Sequence, residues 1–409
     1  MNFDFEPVFI PRLQERGHLG IKCGLENIRA LLDALGRPEE SFPVVLIAGT
    51  NGKGSTGAFL AHMLKAAGLV VGWTTSPHLV DLTERVWVDG EPIGEGALEL
   101  LLGEAFEAEE RTGLHATYFE LMIVAALSAF RMTGIEVGIL EVGMGGRWDA
   151  TNATEPVLTV LTTVGLDHQM YLGDTIEAIA REKLCTARTG RPLVLGPTLD
   201  PDWIRPLLPT EPTLHPAPRL GPADIHWDHS RVAGKRVGLA GLHQLDNLAT
   251  AFETVRQLRT LGFPIPDEKL WAGVSSAVWP GRLWRVPELD GVWMDGAHNP
   301  DGARVLADHA LACGVRPHLY FGAMGDKDLA GVARELKRMR PLSVTFVQGD
   351  APRYARAQDL WEAWDLEAPM LTVRQASAQL RTWTEAPRLV TGSLYLLGDL
   401  LRELGIRPY

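Results

Sequence analysis

The run FPVVLIAGTNGKGSTGAFLAHMLKAAG, residues 42–68, carries the plainest chemical signal in the chain. Gly49, Gly52 and Gly54 let the backbone approach an oxyanion, and Lys53 sets a mobile positive charge among them. The apolar stretch Val44–Ala48 precedes them and the helix-forming stretch Ser55–Ala67 follows. A strand, a glycine turn and a helix N-terminus in that order present unpaired N–H groups to phosphate. The chemistry predicted is binding of a nucleoside triphosphate; tight packing of strand on helix is the alternative reading of the glycines alone. The loop departs from the common pattern G-x-x-x-x-G-K-[ST], whose hydroxyl residue holds Mg²⁺. Ile47 stands at the first glycine position and Gly54 at the hydroxyl position, with Ser55 one place later. A metal at this loop must take ligands from elsewhere.

Candidate ligands follow other apolar runs. Ser76, in TSPHL, could supply the missing hydroxyl, although Ser-Pro is also an ordinary turn pair. Glu141 ends an apolar run, where a carboxylate is costly to bury unless it is paired or binds a metal. The loop after it holds Gly143, Gly145 and Gly146, then Arg147 and Asp149, which could flank a ligand or pair with each other. His168 follows a further run and could be a metal ligand or a plain surface histidine. Lys183 shares a helix face with Ile176, Ile179 and Ala180, the pattern of a lysine that lays its stem on apolar neighbours. Asn247 could cap a helix or read a base. Arg282 lies near a domain junction. Asp295 could accept hydrogen bonds from ribose hydroxyls. His298 sits beside a helix N-terminus, with Asn299 as cap and Pro300 at the first helical position.

The elements that must position these groups are legible. Val44–Ala48, Val70–Thr74, Val137–Glu141 and Val157–Thr163 read as strands; Ser55–Ala67, Phe119–Met132 and Thr175–Ala187 read as helices. Continuous apolar strands alternating with helices predict a mostly parallel sheet covered on both faces, with chemistry at the strands' carboxyl ends. Eight prolines between Pro197 and Pro222 mark a surface excursion that ends in short strands. A helical segment, Asn247–Leu261, then resumes the first domain. After residue 284 a smaller Rossmann-like α/β unit is expected. Its strands are Val292–Asp295, His318–Gly322, Ser343–Gln348 and Arg388–Thr391, and its helices Pro300–Ala312, Leu329–Met339 and Ala376–Thr384.

Composition bounds the function. With 409 residues, 46% hydrophobic and 22% charged, the chain reads as two or three globular domains. A net charge of −12 argues against nonspecific binding to nucleic acid or anionic membrane. Cys23, Cys185 and Cys313 are widely spaced, as in a reducing cytosol and unlike a disulfide framework or structural zinc site. No secretory signal opens the sequence, and the apolar stretch at Leu121–Phe130 is too short to span a bilayer. A cytoplasmic protein is expected.

Taken together the segments resemble folylpolyglutamate synthase and dihydrofolate synthase, members of the Mur ligase superfamily. The matches are GTNGKGS, TSPHLVDLTERV, TYFE, EVGMGGRWDATN and GLDHQMYLGDTIEAIAREK, then GLHQLDN, PGR, DGAHNP, MGDKD and TGSLYLLGDL, in family order over nearly the whole chain. The resemblance implies an ATP-binding domain over 1–284 and a glutamate ligase domain over 285–409. It implies that Asn51, Gly52, Lys53, Gly54 and Ser55 hold the ATP phosphates, with Asn247, Arg282 and Asp295 completing the nucleotide site. Ser76 and Glu141 would bind one Mg²⁺ and His168 a second. Lys183 matches the family lysine that CO₂ carboxylates into an acidic metal ligand, and Lys53, Lys183 and His298 are the candidate catalytic groups. Lys22, Cys23, Gly24, Thr117, Tyr118, Phe119, Asp149 and Ala150 would hold the pterin substrate. Two positions depart from the family: Leu184-Cys185 follows Lys183 where Ala-Gly is usual, and Lys22-Cys23 stands where acidic or polar residues are common. The implied reaction is ATP-dependent ligation of L-glutamate to dihydropteroate, to a reduced folate or to both, through an acyl phosphate, by a monomer. A Mur-type ligase acting on a cell-wall precursor and a P-loop switch ATPase are the alternatives; TSPHL and TYFE favour the folate branch.

Overall fold

The computed structural model describes residues 7–17, 23–221, 223–385 and 387–409. Lys22 lies outside them. The chain forms two compact units that interleave in sequence. The first takes the residues up to Pro77, Leu82–Pro218 and Asn247–Gly273, and the second takes His78–Asp81, Arg219–Asp246 and Val274–Tyr409. The linear cut expected at 284/285 falls within the second unit, and the proline-rich excursion is shared between the two.

The first unit is built on an eight-stranded sheet in the order Glu91–Pro92, Val86–Val88, Val71–Thr74, Val137–Glu141, Val44–Ala48, Leu158–Leu161, Pro192–Leu195, Thr213–Pro216. From Val71–Thr74 onward every pairing is parallel. The two strands Val44–Ala48 and Val137–Glu141 are buried at every position, because helices cover both faces. Val44, Leu46 and Ala48 alternate onto one face, against a core supplied by Glu26–Ala34, Glu95–Thr112 and Tyr118–Thr133. The last of these helices starts at a capping box. Thr117 Oγ1 accepts from Glu120 N at 3.2 Å and Glu120 Oε2 accepts from Thr117 N at 2.7 Å, a device worth about 1 kcal/mol.

The antiparallel hairpin at the sheet edge was not expected. Asp89 and Gly90, at φ 48° and 84°, make its turn, and the Asp-Gly pair was its local signal. The helix Glu95–Thr112 and the strand Met370–Thr372 were likewise not anticipated.

The second unit carries a three-stranded antiparallel sheet, Ala223–Ile225, Ser230–Val232 and Lys235–Val237. Its main sheet has six strands in the order Trp284–Arg285, Val292–Asp295, Arg388–Thr391, His318–Phe321, Ser343–Gln348, Met370–Thr372. The strand latest in sequence inserts between Val292–Asp295 and His318–Phe321, a change of strand order that opens a crevice at the carboxyl edge.

Candidate functional site

The glycine loop leaves Val44–Ala48 and enters the helix Lys53–Ala67 through Gly52, which caps it at φ 87°. A side chain at Gly52 would be strained by that φ and would run into the Asn247 carboxamide. Asn247 is buried against the loop, but it does not cap a helix. The helix begins at His243, which leaves Asn247 in its second turn. Loop shape is fixed by Thr162 and Thr163, whose strand was expected but whose bracing role was not. Thr163 Oγ1 accepts from Asn51 N at 3.0 Å, Thr162 Oγ1 donates to Asn51 O at 2.6 Å, and Thr50 N donates to Thr163 O at 2.9 Å. The two adjacent threonines in LTTVG, just beyond a central strand, were the available signal.

Lys53 Nζ donates to Gly49 O at 3.0 Å and to Thr50 O at 3.3 Å. Lys183 Nζ reaches the same Gly49 O at 3.1 Å, across 134 residues of sequence. The whole Lys183 side chain, and not its stem alone, is withdrawn from water: it is only 5% exposed. Burial above all, then the charge of Lys53, lowers its pKa from 10.5 to about 7, against the opposing influence of Asp167 and Asp149. A lysine so depressed is substantially neutral near pH 7, and the neutral amine is the form that attacks CO₂.

Ser76 and Glu141 come to the same rim. Thr74 pairs with Leu140 and Ile47 with Glu141, so the residues that follow Val71–Thr74 emerge beside Glu141 and the glycine loop. Glu141 is buried, and its N–H donates to Thr74 Oγ1 at 3.2 Å. A hydroxyl and a buried carboxylate on neighbouring strands fit a hard divalent cation. Among the described residues no three His, Cys, Asp or Glu side chains converge on one point. His168 follows Leu158–Leu161 on this rim, exposed, at φ 51°, with Nε2 3.8 Å from Asp167 Oδ2.

The loop after Glu141 is folded on its own hydrogen bonds. Asp149 Oδ2 accepts from Met144 N at 3.0 Å and Oδ1 from Thr151 N at 3.0 Å, and burial raises its pKa. Arg147 pairs with Glu182 at 3.2 Å, not with Asp149. Gly143 lies between Phe119 and Asp149, and a side chain there would strike the Phe119 ring. Phe119 and Asp149, far apart in sequence, thus share one wall. Tyr118 and Ala150 are buried beside them, Thr117 caps the helix, Gly24 has φ 121° and Cys23 is exposed.

In the second unit, Asp295 ends its strand with both oxygens engaged: Leu283 N donates to Oδ2 at 2.8 Å and Ala297 N to Oδ1 at 2.9 Å. Burial raises its pKa and the Arg282 charge opposes that. Arg282 Nη1 donates to Gly281 O at 2.9 Å. His298 Nδ1 lies 2.8 Å from Gly296 O, and Asn299 caps Pro300–Ala312 by accepting from Gly302 N at 2.8 Å, as expected.

No helix among the described residues is long and apolar enough to cross a membrane. Two family profiles match: the Mur ligase middle domain over residues 47–185, and the Mur ligase glutamate ligase domain over residues 281–393. The dihydrofolate synthase/folylpolyglutamate synthase of Bacillus subtilis (strain 168) is 33% identical over 94% of this chain and 96% of its own. E. coli FolC in complex with DHPP and ADP superposes with a TM-score of 0.83 at 31% identity, covering 97% of each chain. A bifunctional folylpolyglutamate synthase/dihydrofolate synthase with Mn, AMPPNP and L-glutamate bound superposes with a TM-score of 0.83 at 30% identity, covering 98% of each. The phosphate loop, the acidic rim and these likenesses lead to one conclusion: the chain belongs to the dihydrofolate synthase/folylpolyglutamate synthase family of Mur ligases, ATP-dependent enzymes that form amide bonds.

Proposed function

We propose that this ligase joins L-glutamate both to dihydropteroate and to the terminal glutamate of reduced folates. The observation that carries the reading is the meeting of Lys53 and Lys183 on Gly49 O, on the rim that holds Glu141. A carboxylate is a poor electrophile because oxide cannot leave. Transfer of the γ-phosphoryl group of ATP to the acceptor carboxylate gives an acyl phosphate and ADP. The glutamate amine attacks its carbonyl carbon, the C–O bond to phosphate breaks, and the nitrogen gives up a proton. Two anions must approach for the first step, so positive charge has to surround them. Lys53 and the N–H groups of Asn51–Ser55 supply it at the phosphates. Asn247, Arg282 and Asp295 hold the rest of the nucleotide, and His298 helps to place glutamate or phosphate beside a helix N-terminus. Divalent ions, one at Ser76 and Glu141 and a second at His168, would neutralise phosphate charge when bound.

Lys183 we assign as a carboxylated lysine: carboxylation turns its repulsion of Lys53 into attraction. The acid substrate lies against Cys23, Gly24, Thr117, Tyr118, Phe119, Asp149 and Ala150. The phosphate loop belongs to residues 1–284 and the glutamate functions to 285–409, from which Asp295 also serves the nucleotide, in a cytoplasmic monomer. The test is purified enzyme with ATP, Mg²⁺ and glutamate, offered dihydropteroate and then a reduced folate, with products resolved by mass. Glutamylation of both is expected; one product only would remove bifunctionality, and glutamate-independent ATP hydrolysis at full rate would sink the ligase reading.

A further inference from the structure

The helix Phe9–Glu15 lies along Glu95–Thr112 and is clamped at both ends. At its start Val8 offers no side-chain cap, and Glu99 replaces it by accepting from Val8 N, Phe9 N and Ile10 N at 2.5, 2.5 and 2.8 Å. Phe9 stacks on Phe106 at 5.8 Å, and the guanidinium groups of Arg12 and Arg16 cover the same ring at 4.2 and 5.0 Å. At the far end Arg16 forms a two-pronged pair with buried Glu109, both contacts at 2.6 Å.

This pair does more than join two helices. Arg16 Nη1 also donates to Ala116 O at 2.6 Å, and Glu109 Oε1 accepts from Ala116 N at 2.6 Å. Both backbone groups of Ala116 are therefore held by one ion pair, one residue before Thr117. Asn27 Nδ2 holds the neighbouring carbonyl, His115 O, at 3.0 Å. Neither helix end needs this arrangement: Gly113 at φ 65° closes the first helix, and the Thr117–Glu120 box opens the next. A buried ion pair adds little net stability over an apolar substitute, but it fixes geometry. Here the geometry fixed is the approach of Thr117, Tyr118 and Phe119.

We propose that Arg16 and Glu109 are positioning residues for the acid substrate, setting the wall Thr117–Phe119 without touching the substrate. This rests on the assignment of that wall to the acceptor under the proposed function. The experiment compares Arg16→Ala, Arg16→Lys, Glu109→Gln and Phe119→Ala in the full-length enzyme. KM for acceptor, ATP and glutamate, kcat and melting temperature are measured for each. Lysine keeps the charge beside Glu109 but loses the fork that reaches Ala116 O, so it tests positioning even where alanine fails to fold. The acceptor KM is expected to rise about tenfold or more in the Arg16 and Glu109 variants, with the other two KM values within about twofold, because small misplacements of a binding wall are expensive. An unchanged acceptor KM in Arg16→Lys and Glu109→Gln, beside a raised one in Phe119→Ala, overturns the inference alone. A uniform change of all three KM values also overturns it, since that is what general loosening would give. An unchanged acceptor KM in Phe119→Ala removes the wall itself, and the inference with it.

Discussion

Replacing Lys183 by methionine keeps the apolar stem and removes the ammonium group. The gap between 10.5 and about 7, at about 1.4 kcal/mol per pH unit, makes protonated Lys183 roughly 5 kcal/mol less favourable in the folded protein than in the unfolded chain. The sign follows from proton counts. Below pH 7 the group is charged in both states and the native state bears the whole penalty. Between pH 7 and 10.5 only the unfolded chain keeps the proton, so stability rises with pH; above 10.5 the contribution vanishes. Lys183→Met escapes the penalty but gives up the Gly49 O hydrogen bond, worth about 1 kcal/mol. In CO₂-free buffer the variant should therefore be more stable than the parent at pH 6 by about 4 kcal/mol. By pH 9 that advantage should shrink by about 3 kcal/mol. Urea unfolding of both proteins at the two pH values measures the difference. Activity should move the opposite way, with kcat falling about 100-fold or more, because the variant cannot be carboxylated. Mass spectrometry of the parent under CO₂ should find the added CO₂ on Lys183. A stability difference that does not change with pH would refute the burial argument, and full activity in Lys183→Met would remove the residue from the mechanism.

Gly52→Ala puts a side chain at φ 87° into the Asn247 carboxamide; left-handed strain of about 1–2 kcal/mol plus the collision should raise KM for ATP by about tenfold to 100-fold. Thr163→Val keeps shape but removes the oxygen that receives Asn51 N, so ATP affinity, measured by calorimetry, should fall by about five- to tenfold. Glu141→Gln retains volume and loses charge; kcat should drop about 100-fold and the Mg²⁺ concentration for half-maximal rate should rise, which a metal titration reads directly. An unchanged metal requirement in that variant would move the ion away from Glu141.

The first sheet was largely legible because its signals are local. Five consecutive apolar residues end at Gly49, and the predicted Val44–Ala48 and Val137–Glu141 match the observed strands residue for residue. Capping chemistry was equally local, and Asn299 and Pro300 opened their helix as predicted. Errors arose where an element carries a weak start signal. The helix beginning at His243 has its first turn in a stretch of mixed polarity, so its start was placed at Asn247 and the cap with it. The edge hairpin was missed although Asp89-Gly90 marked it. Arg147, which could flank a ligand or pair with Asp149, found its partner in Glu182, on the helix Ile176–Leu184.

By itself the amino-acid order determined which segment cradles phosphate, which strands carry acidic and hydroxyl groups, and that the chain is a ligase of this family. Those facts reside in runs of adjacent residues, where backbone preference and apolar spacing act over a few ångströms. Only the tertiary structure decided that Lys183 is buried beside Gly49 rather than wetted, that Thr163 braces the loop, and that Arg16 and Glu109 grip Ala116. Loss of water and the company of other charges depend on what folding brings near, and here the groups that meet lie some hundred residues apart.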